Sequence, residues 1–569
     1  GNALAQSFHH SILPLADPRD RRTEILWGLA DFRRRFDRDA EGMWLPECAV
    51  DEATLAALAR AGVKFAILEP HQAESVRPIT GGTWRPAAEL LKPGVPYHWR
   101  GPEGDEMSLF FYDGRLSRAV AFEHAMSDSR AFAAKIAAKL PPAAEDGLCL
   151  IATDGETYGH HHSFAEMGLA HLLRYALPQA GVSPVSLGWY LAQNPPRHEA
   201  RLKKGGTSWS CAHGVERWRG DCGCGAQPGR HQRWRKPLRE ALERLRAKLA
   251  ALYEEKSAGL MADPWGARDA YVSVVPDRST EAVERFLAQH APGAKDEPSR
   301  IRALTLLELQ RHSLMMFTSC GWFFDELSRL EPVQVLLYAA RAIELARDCG
   351  AELEADFVKD LAAAPSNDAS LRDGAGIWAR LIKPRIVTRD HVAAHYAVSL
   401  LFEDKTAGHV YDHRVHCERF TRRAAAGVTV AAGFAEFTDG ITGQRWKRSF
   451  FAGVLPRQRV QAFICGELSP ERFEVLLSDA SNGAQTAPLP PGRIFLLRDL
   501  PPDERERVLM TVLKRRLSRW ESDAHDLLEE GMPLVEQFRG LGLPLPAGLA
   551  EETRLTLAHA LNDAAQGFA

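Results

Sequence analysis

The sequence predicts an α/β fold: a barrel-type unit of alternating strands and helices, then an all-helical region, then a C-terminal region that is first β-rich and finally helical. Three observations carry this. Strand-like runs alternate with helical periodicity to about residue 215, the mark of a parallel α/β unit. From Trp234 the periodicity becomes that of long amphipathic helices rich in Leu, Arg and Glu. From His391 the pattern changes to short β-rich runs separated by Gly, Asp and Asn turns.

Taken in order, Thr54 to Ala61 reads as a helix and Val63 to Leu68 as a buried strand. Ser108 to Tyr112 reads as a strand, Ser129 to Lys139 as a helix, and Leu148 to Thr153 as a further strand. Trp234 to Glu254, Ser279 to Gln289, Arg300 to Met316 and Pro332 to Asp348 are the expected helices of the second region. Gly427 to Phe437, Arg459 to Ile464 and Ile494 to Leu497 are expected strands, with helices from Asp503 onward. The domains expected are therefore 1–225, 226–372 and 373–569.

At 569 residues and 45% apolar, the chain has ample material for several cores. With 71 basic and 74 acidic residues its net charge is −3, which favours neither nucleic acid nor an anionic membrane as partner. Nothing reads as a leader or a spanning segment, so a cytoplasmic location is expected. The oligomeric state is not legible.

Two stretches concentrate chemistry. Gly42-Met43-Trp44-Leu45-Pro46-Glu47-Cys48 and Ile151-Ala152-Thr153-Asp154-Gly155-Glu156-Thr157-Tyr158-Gly159-His160-His161-His162 each end an apolar run with carboxylates beside aromatic or imidazole rings. Breaking a glycosidic bond needs two facing carboxyl groups, one at the anomeric carbon and one to protonate the leaving oxygen. Glu47 and Asp154 are the expected pair, gathered at the rim where the loops after the strands of a β/α barrel converge. Either motif alone also reads as a helix cap or polar turn.

These motifs resemble those of family 57 glycoside hydrolases. Trp44-Leu45-Pro46-Glu47 matches the family's Trp-Leu-x-Glu segment, and Asp154-Gly155-Glu156-Thr157-Tyr158-Gly159 its Asp-Gly-Glu-x-x-Gly segment. The resemblance implies an incomplete (β/α)7-type barrel, Glu47 as nucleophile, Asp154 as general acid/base, and an α-glucan as substrate of a retaining amylase or branching activity. Trp209-Ser210-Cys211-Ala212-His213-Gly214 matches a later family segment loosely. The helical domain is implied to wall the cleft, with Trp322 and Asp325 from the run Thr318 to Glu326 reaching it.

The family's His-Gln-Pro segment has no counterpart in place, since His71-Gln72 is followed by Ala73 and lies after Glu47. The opening Gly1-Asn2-Ala3 resembles a stretch inside the family's barrel. The expectation is therefore an open barrel lacking its first strand or two, with an unpaired edge beside the segment after Gly1.

Other candidates follow from residue type. His10, Trp44, Glu156, His160, Trp209 and His213 are expected to touch substrate, Glu156 also helping to keep Asp154 protonated. His9 and Trp218 are weaker candidates of the same kind. Nine cysteines, odd in number and mostly scattered, suit reduced thiols. Cys211, His213, Cys222 and Cys224 form a cluster, but Cys222-Gly223-Cys224 lacks the two-residue spacer of a zinc pair. It reads as a reduced Gly-rich loop rather than a structural metal site, and no cofactor or metal is expected. Two other readings stay open: a metal-dependent polysaccharide deacetylase using Asp154 and the histidines as ligands, and a non-catalytic glucan-binding protein.

Overall fold

Phe65–Leu68 is the strand around which the first sheet is built, and all four of its residues are buried. Phe65 and Ile67 enter one apolar cluster and Ala66 and Leu68 another, so both faces of the strand are covered, as a parallel sheet requires. The structure is a computed structural model of the chain, and it describes residues 2–141, 147–225, 227–402, 407–425, 428–455, 459–482, 488–500, 505–511, 513–514, 536–537 and 540. Contacts divide it into two units, Gly1–Ile386 and Val387–Ala569.

In the first unit the strands are β1 (Ala5–Gln6), β2 (Gly42–Trp44), β3 (Phe65–Leu68), β4 (Ala73–Pro78), β5 (Arg85–Pro86), β6 (Pro96–Arg100), β7 (Glu106–Phe111) and β8 (His198–Leu202). Their order is β1-β2-β3-β7-β6-β8-β4-β5. β1, β2, β3 and β7 run parallel, whereas β6 returns antiparallel beside β7. This is the barrel-like sheet expected, and it is open: β1 and β5 stand at its two ends. Helix Pro18–Phe36 lies on β1 so closely that a Cβ at Gly28 would meet the Gln6 carbonyl oxygen at 1.9 Å.

One expected strand is corrected. Leu148–Thr153 is irregular chain, because the β6–β7 hairpin already occupies the flank of β7 where a further parallel strand would pair. Only its register with the end of β7 survives, through the Asp113 N–H donating to the Leu150 carbonyl at 2.7 Å.

The helical region forms as read, with Arg235–Ser257, Glu297–Met315 and Leu330–Asp348 as its long members. Leu238, Leu242, Leu245 and Leu249 repeat at helical spacing and meet Leu336, Ala339 and Ile343 in one core. The first unit runs past the expected boundary at residue 372, because Ile377, Trp378 and Ile382 are buried in that same core.

The second unit is an antiparallel sheet of β9 (Ala407–Val410), β10 (His413–Ala425), β11 (Val428–Asp439), β12 (Arg445–Leu455), β13 (Arg459–Cys465) and β14 (Gly492–Leu496), in the order β14-β13-β12-β11-β10-β9. Alternate residues of β11 face opposite ways. Ala431 and Ala435 join a cluster with helix Arg389–Ser399, and Val430 and Ala432 join one with helix Pro470–Asn482. The helices expected from Asp503 onward fall largely outside the described residues, apart from helical chain at 505–511. No helix among the described residues is long and apolar enough to cross a membrane.

Candidate active site

Glu47 stands just after the end of β2, and Asp154 on the irregular chain beyond Leu148–Thr153. After β2 the chain turns through Pro46–Cys48, and Glu47 (φ 58°) and Cys48 (φ 48°) both adopt left-handed backbone. Such geometry costs about 1–2 kcal/mol per non-glycine residue and is retained only where surrounding bonds impose it. Here Val50 and Thr207 exchange backbone hydrogen bonds at 2.9 and 3.0 Å, and the Trp209 N–H donates to the Glu47 carbonyl at 2.9 Å. The result aims the Glu47 carboxylate at two donors: the Trp209 indole N–H at 2.9 Å and the Ser210 hydroxyl at 2.6 Å, both on Oε2.

Asp154 stands on the exposed turn that opens Gly155–Thr157. Partial burial raises its carboxyl above the ordinary aspartate range, the negative charges of Glu47 and Glu156 raise it further, and His161 opposes them. Glu47 and Glu156 thus both favour the protonated form of Asp154 through space.

His10 meets the same field. Burial lowers its imidazole pKa, against the raising effects of Glu47 and Glu156. Its Nδ1 lies 2.7 Å from Ser319 Oγ, and its carbonyl accepts the Ser319 N–H at 2.9 Å. Trp44 and Trp209 are both half-buried and meet edge to face at 5.2 Å, while Tyr112 approaches Trp209 at 6.1 Å. The two indoles thus give the carboxylates a partly exposed aromatic wall suited to a pyranose face.

Trp322, Asp325 and Trp218 are placed otherwise than expected. Trp322 is wholly buried in the helical core, its indole N–H donating to the Arg235 carbonyl at 3.3 Å. Asp325 is also buried, and its carboxylate caps chain by accepting the Gln227 N–H at 2.8 Å and the Gln232 amide at 3.1 Å. The run Thr318 to Glu326 does meet the site, but through Ser319 on His10 and through Cys320, whose thiol is raised by partial desolvation and by the Glu47 charge. Trp218 is core as well, donating to the Ser319 carbonyl.

Of the histidines after Asp154, His161 rather than His160 is the one acting on its carboxyl. His162 is turned away, its Nε2 2.9 Å from the Ala121 carbonyl and its ring against His124. His213 sits against sulfur, with Nδ1 3.5 Å from Cys224 Sγ. His9 is held at 2.7 Å by Glu24.

Two residues escaped the sequence reading. Glu69 follows β3 and Tyr112 follows β7, as Glu47 follows β2. Burial raises the Cys48 thiol and the Tyr112 phenol, and Glu69 and Asp154 add to both shifts. The signal was present for Glu69, since Leu68-Glu69-Pro70 is again an apolar run ending in Glu beside Pro.

Residues 2–185 match the profile of glycosyl hydrolase family 57, and residues 230–491 match a domain of unknown function, DUF3536. No curated protein matches the chain. Among solved structures it resembles an exo-type maltose-forming amylase from Pyrococcus sp. ST04, at 14% identity and a TM-score of 0.50. That match covers 63% of this chain and 64% of the amylase, so less than two-thirds of the amylase's length is spanned. A GH57 branching enzyme from Thermococcus kodakaraensis matches at 15% identity and a TM-score of 0.39, over 68% of this chain and 71% of that one. The α-amylase AmyC from Thermotoga maritima matches at 12% and 0.40, over 67% and 71%.

Proposed function

We propose that this chain, whose residues 2–185 match the profile of glycosyl hydrolase family 57, is a retaining glycoside hydrolase or transglycosylase acting on α-glucans. The observation that carries the reading is that two carboxyl groups, one acting on the other through its charge, stand in different environments. Glu47 is held by two donors on one oxygen, leaving Oε1 as the attacking atom. Asp154 is kept above its usual range by partial burial, then Glu47, then Glu156.

Glu47 Oε1 attacks the anomeric carbon while Asp154 gives its proton to the departing glycosidic oxygen. Esterification removes the Glu47 charge, one of the influences that held the proton on Asp154. With its pKa lowered, Asp154 stays ionised once its proton is gone and serves as general base, taking a proton from the incoming water or sugar hydroxyl. Trp44 and Trp209 offer stacking faces, and Tyr112 and Glu69 stand behind the nucleophile's turn. Water as acceptor gives hydrolysis and a glucan hydroxyl gives transfer. The amylase and branching activities named for the structural relatives fit these two outcomes.

The test is incubation of the full chain with maltooligosaccharides and with amylose, with and without chelator. New reducing ends or new branch points, insensitive to brief chelation, support the reading. Acetate release from an acetylated polysaccharide, abolished by chelator, would favour a metal-dependent deacetylase, and glucan binding without turnover would leave a binding protein.

A further inference from the structure

Between the segment that holds Glu47 and helix Arg235–Ser257 lies a short loop carrying Cys211, His213, Cys222 and Cys224. Gly223, at φ 75°, takes a left-handed turn that other residues adopt only with strain, and this turn lets Cys222 and Cys224 face the same way despite their one-residue spacer. One ligand atom from each of the four side chains lies within 4.8 Å of the other three. Cys211 Sγ and Cys224 Sγ are 3.9 Å apart, and Cys224 Sγ is 3.5 Å from His213 Nδ1.

The 3.9 and 3.5 Å separations are those of one coordination polyhedron. Zinc takes sulfur at about 2.3 Å and imidazole nitrogen at about 2.0–2.1 Å in tetrahedral sites, so two ligand sulfurs stand about 3.8 Å apart and a sulfur and a nitrogen about 3.6 Å apart. A disulfide would bring the sulfurs to about 2.0 Å.

Cys222 Sγ has two hydrogen-bond donors of its own. The Cys224 backbone N–H donates to Cys222 Sγ at 3.4 Å, and Nη1 of the fully buried Arg235 donates to the same sulfur at 3.6 Å. Three thiolates around a dication leave one negative charge, which the Arg235 guanidinium neutralises where water cannot. Cys211 is buried while His213 is exposed, giving an ion a way in from the histidine side.

We propose that Cys211, His213, Cys222 and Cys224 bind one zinc ion as a structural site. Four protein ligands leave no open position, so the ion takes no part in chemistry. Its effect is on the adjoining chain. The loop begins at Trp209 and Ser210, the two donors to Glu47, and within it Arg217 ties the Ser210 carbonyl at 2.9 Å to the Phe323 carbonyl at 2.7 Å. The zinc fixes the loop that aims the nucleophile.

The experiment measures metal in the full chain, expressed with zinc in the medium and purified without chelator or histidine tag. The expected result is about one zinc per chain, and less than about a tenth of that in Cys222→Ser and Cys224→Ser. Prolonged chelation should lower the melting temperature of the native chain toward that of Cys224→Ser, and added zinc should restore it. Should those variants fail to fold, cobalt exchanged into the native chain gives an independent reading. Thiolate-to-cobalt charge transfer with the visible bands of tetrahedral cobalt is expected, altered in His213→Ala. A native chain that takes up neither zinc nor cobalt, or a Cys211–Cys224 disulfide in peptides mapped without reductant, overturns the proposal.

Discussion

Trp209 holds Glu47 at both ends: its indole N–H donates to the carboxylate at 2.9 Å, and its backbone N–H donates to the carbonyl at 2.9 Å. Side chain and main chain of one residue thus fix both the position and the direction of the other. A hydrogen bond to a charged group is worth about 1.5–3 kcal/mol. Trp209→Phe keeps the ring and the backbone bond but loses the indole donor, so kcat on maltooligosaccharides should fall on the order of ten- to a hundredfold with stability nearly unchanged. Unaltered kcat would mean that the indole bond does not help orient the nucleophile.

Glu47→Gln replaces the attacking oxygen with an amide of nearly the same shape and keeps acceptor capacity for Ser210. Turnover should drop by a factor on the order of a thousand or more, while glucan binding persists. Residual activity within about tenfold of the native chain would remove Glu47 from the nucleophile's role.

The acid's pH dependence has a sign that two variants test in opposite directions. Asp154 is raised by partial burial, by Glu47 and by Glu156, and lowered by His161. Because the protonated form is needed, the alkaline limb of kcat/KM follows the pKa of Asp154. Glu156→Gln removes a raising charge and should move that limb to lower pH. His161→Gln removes a lowering charge and should move it to higher pH. Limbs that shift the same way, or not at all, would disconnect Asp154 from the profile.

Much of this was readable where the signal is local. The buried strand at 63–68, the helix at 54–61 and both acid motifs rest on runs of neighbouring residues, and the structure has the strand at Phe65–Leu68, the helix at Glu52–Arg60 and the turns that bear Glu47 and Asp154. What failed depends on distant pairing. Leu148–Thr153 has a strand's composition, yet the β6–β7 hairpin took the edge it needed. Trp322 and Asp325 looked like a polar aromatic patch seeking a cleft, but backbone and amide partners inside the helical core satisfy both. The one-residue spacer of the cysteine loop argued against a metal pair, yet with Gly223 in a left-handed turn Cys222 and Cys224 stand in one cluster with Cys211 and His213.

Acid stability of the first unit should depend on His312. Burial, then the Arg311 charge, lowers its pKa to about 3, from an ordinary 6.5. Between those values the unfolded chain binds a proton that the folded chain refuses, so stability rises with pH across about 3 to 6.5 and is lost as pH falls. Glu308, Nε2 of His312 being 3.9 Å from it, works lower down. Despite its burial, Arg311 and Arg278 depress its pKa to about 2 from 4.5, so its contribution is fully present above 4.5 and lost as pH falls through 2. The two windows separate at pH 5, where Glu308 is still ionised in both states and His312 already costs stability. His312→Gln should therefore narrow the difference in melting temperature between pH 7 and pH 5, whatever its effect at pH 7 alone. Calorimetry of the full chain at both pH values is the measurement, and an undiminished difference in the variant would place the acid sensitivity on other groups.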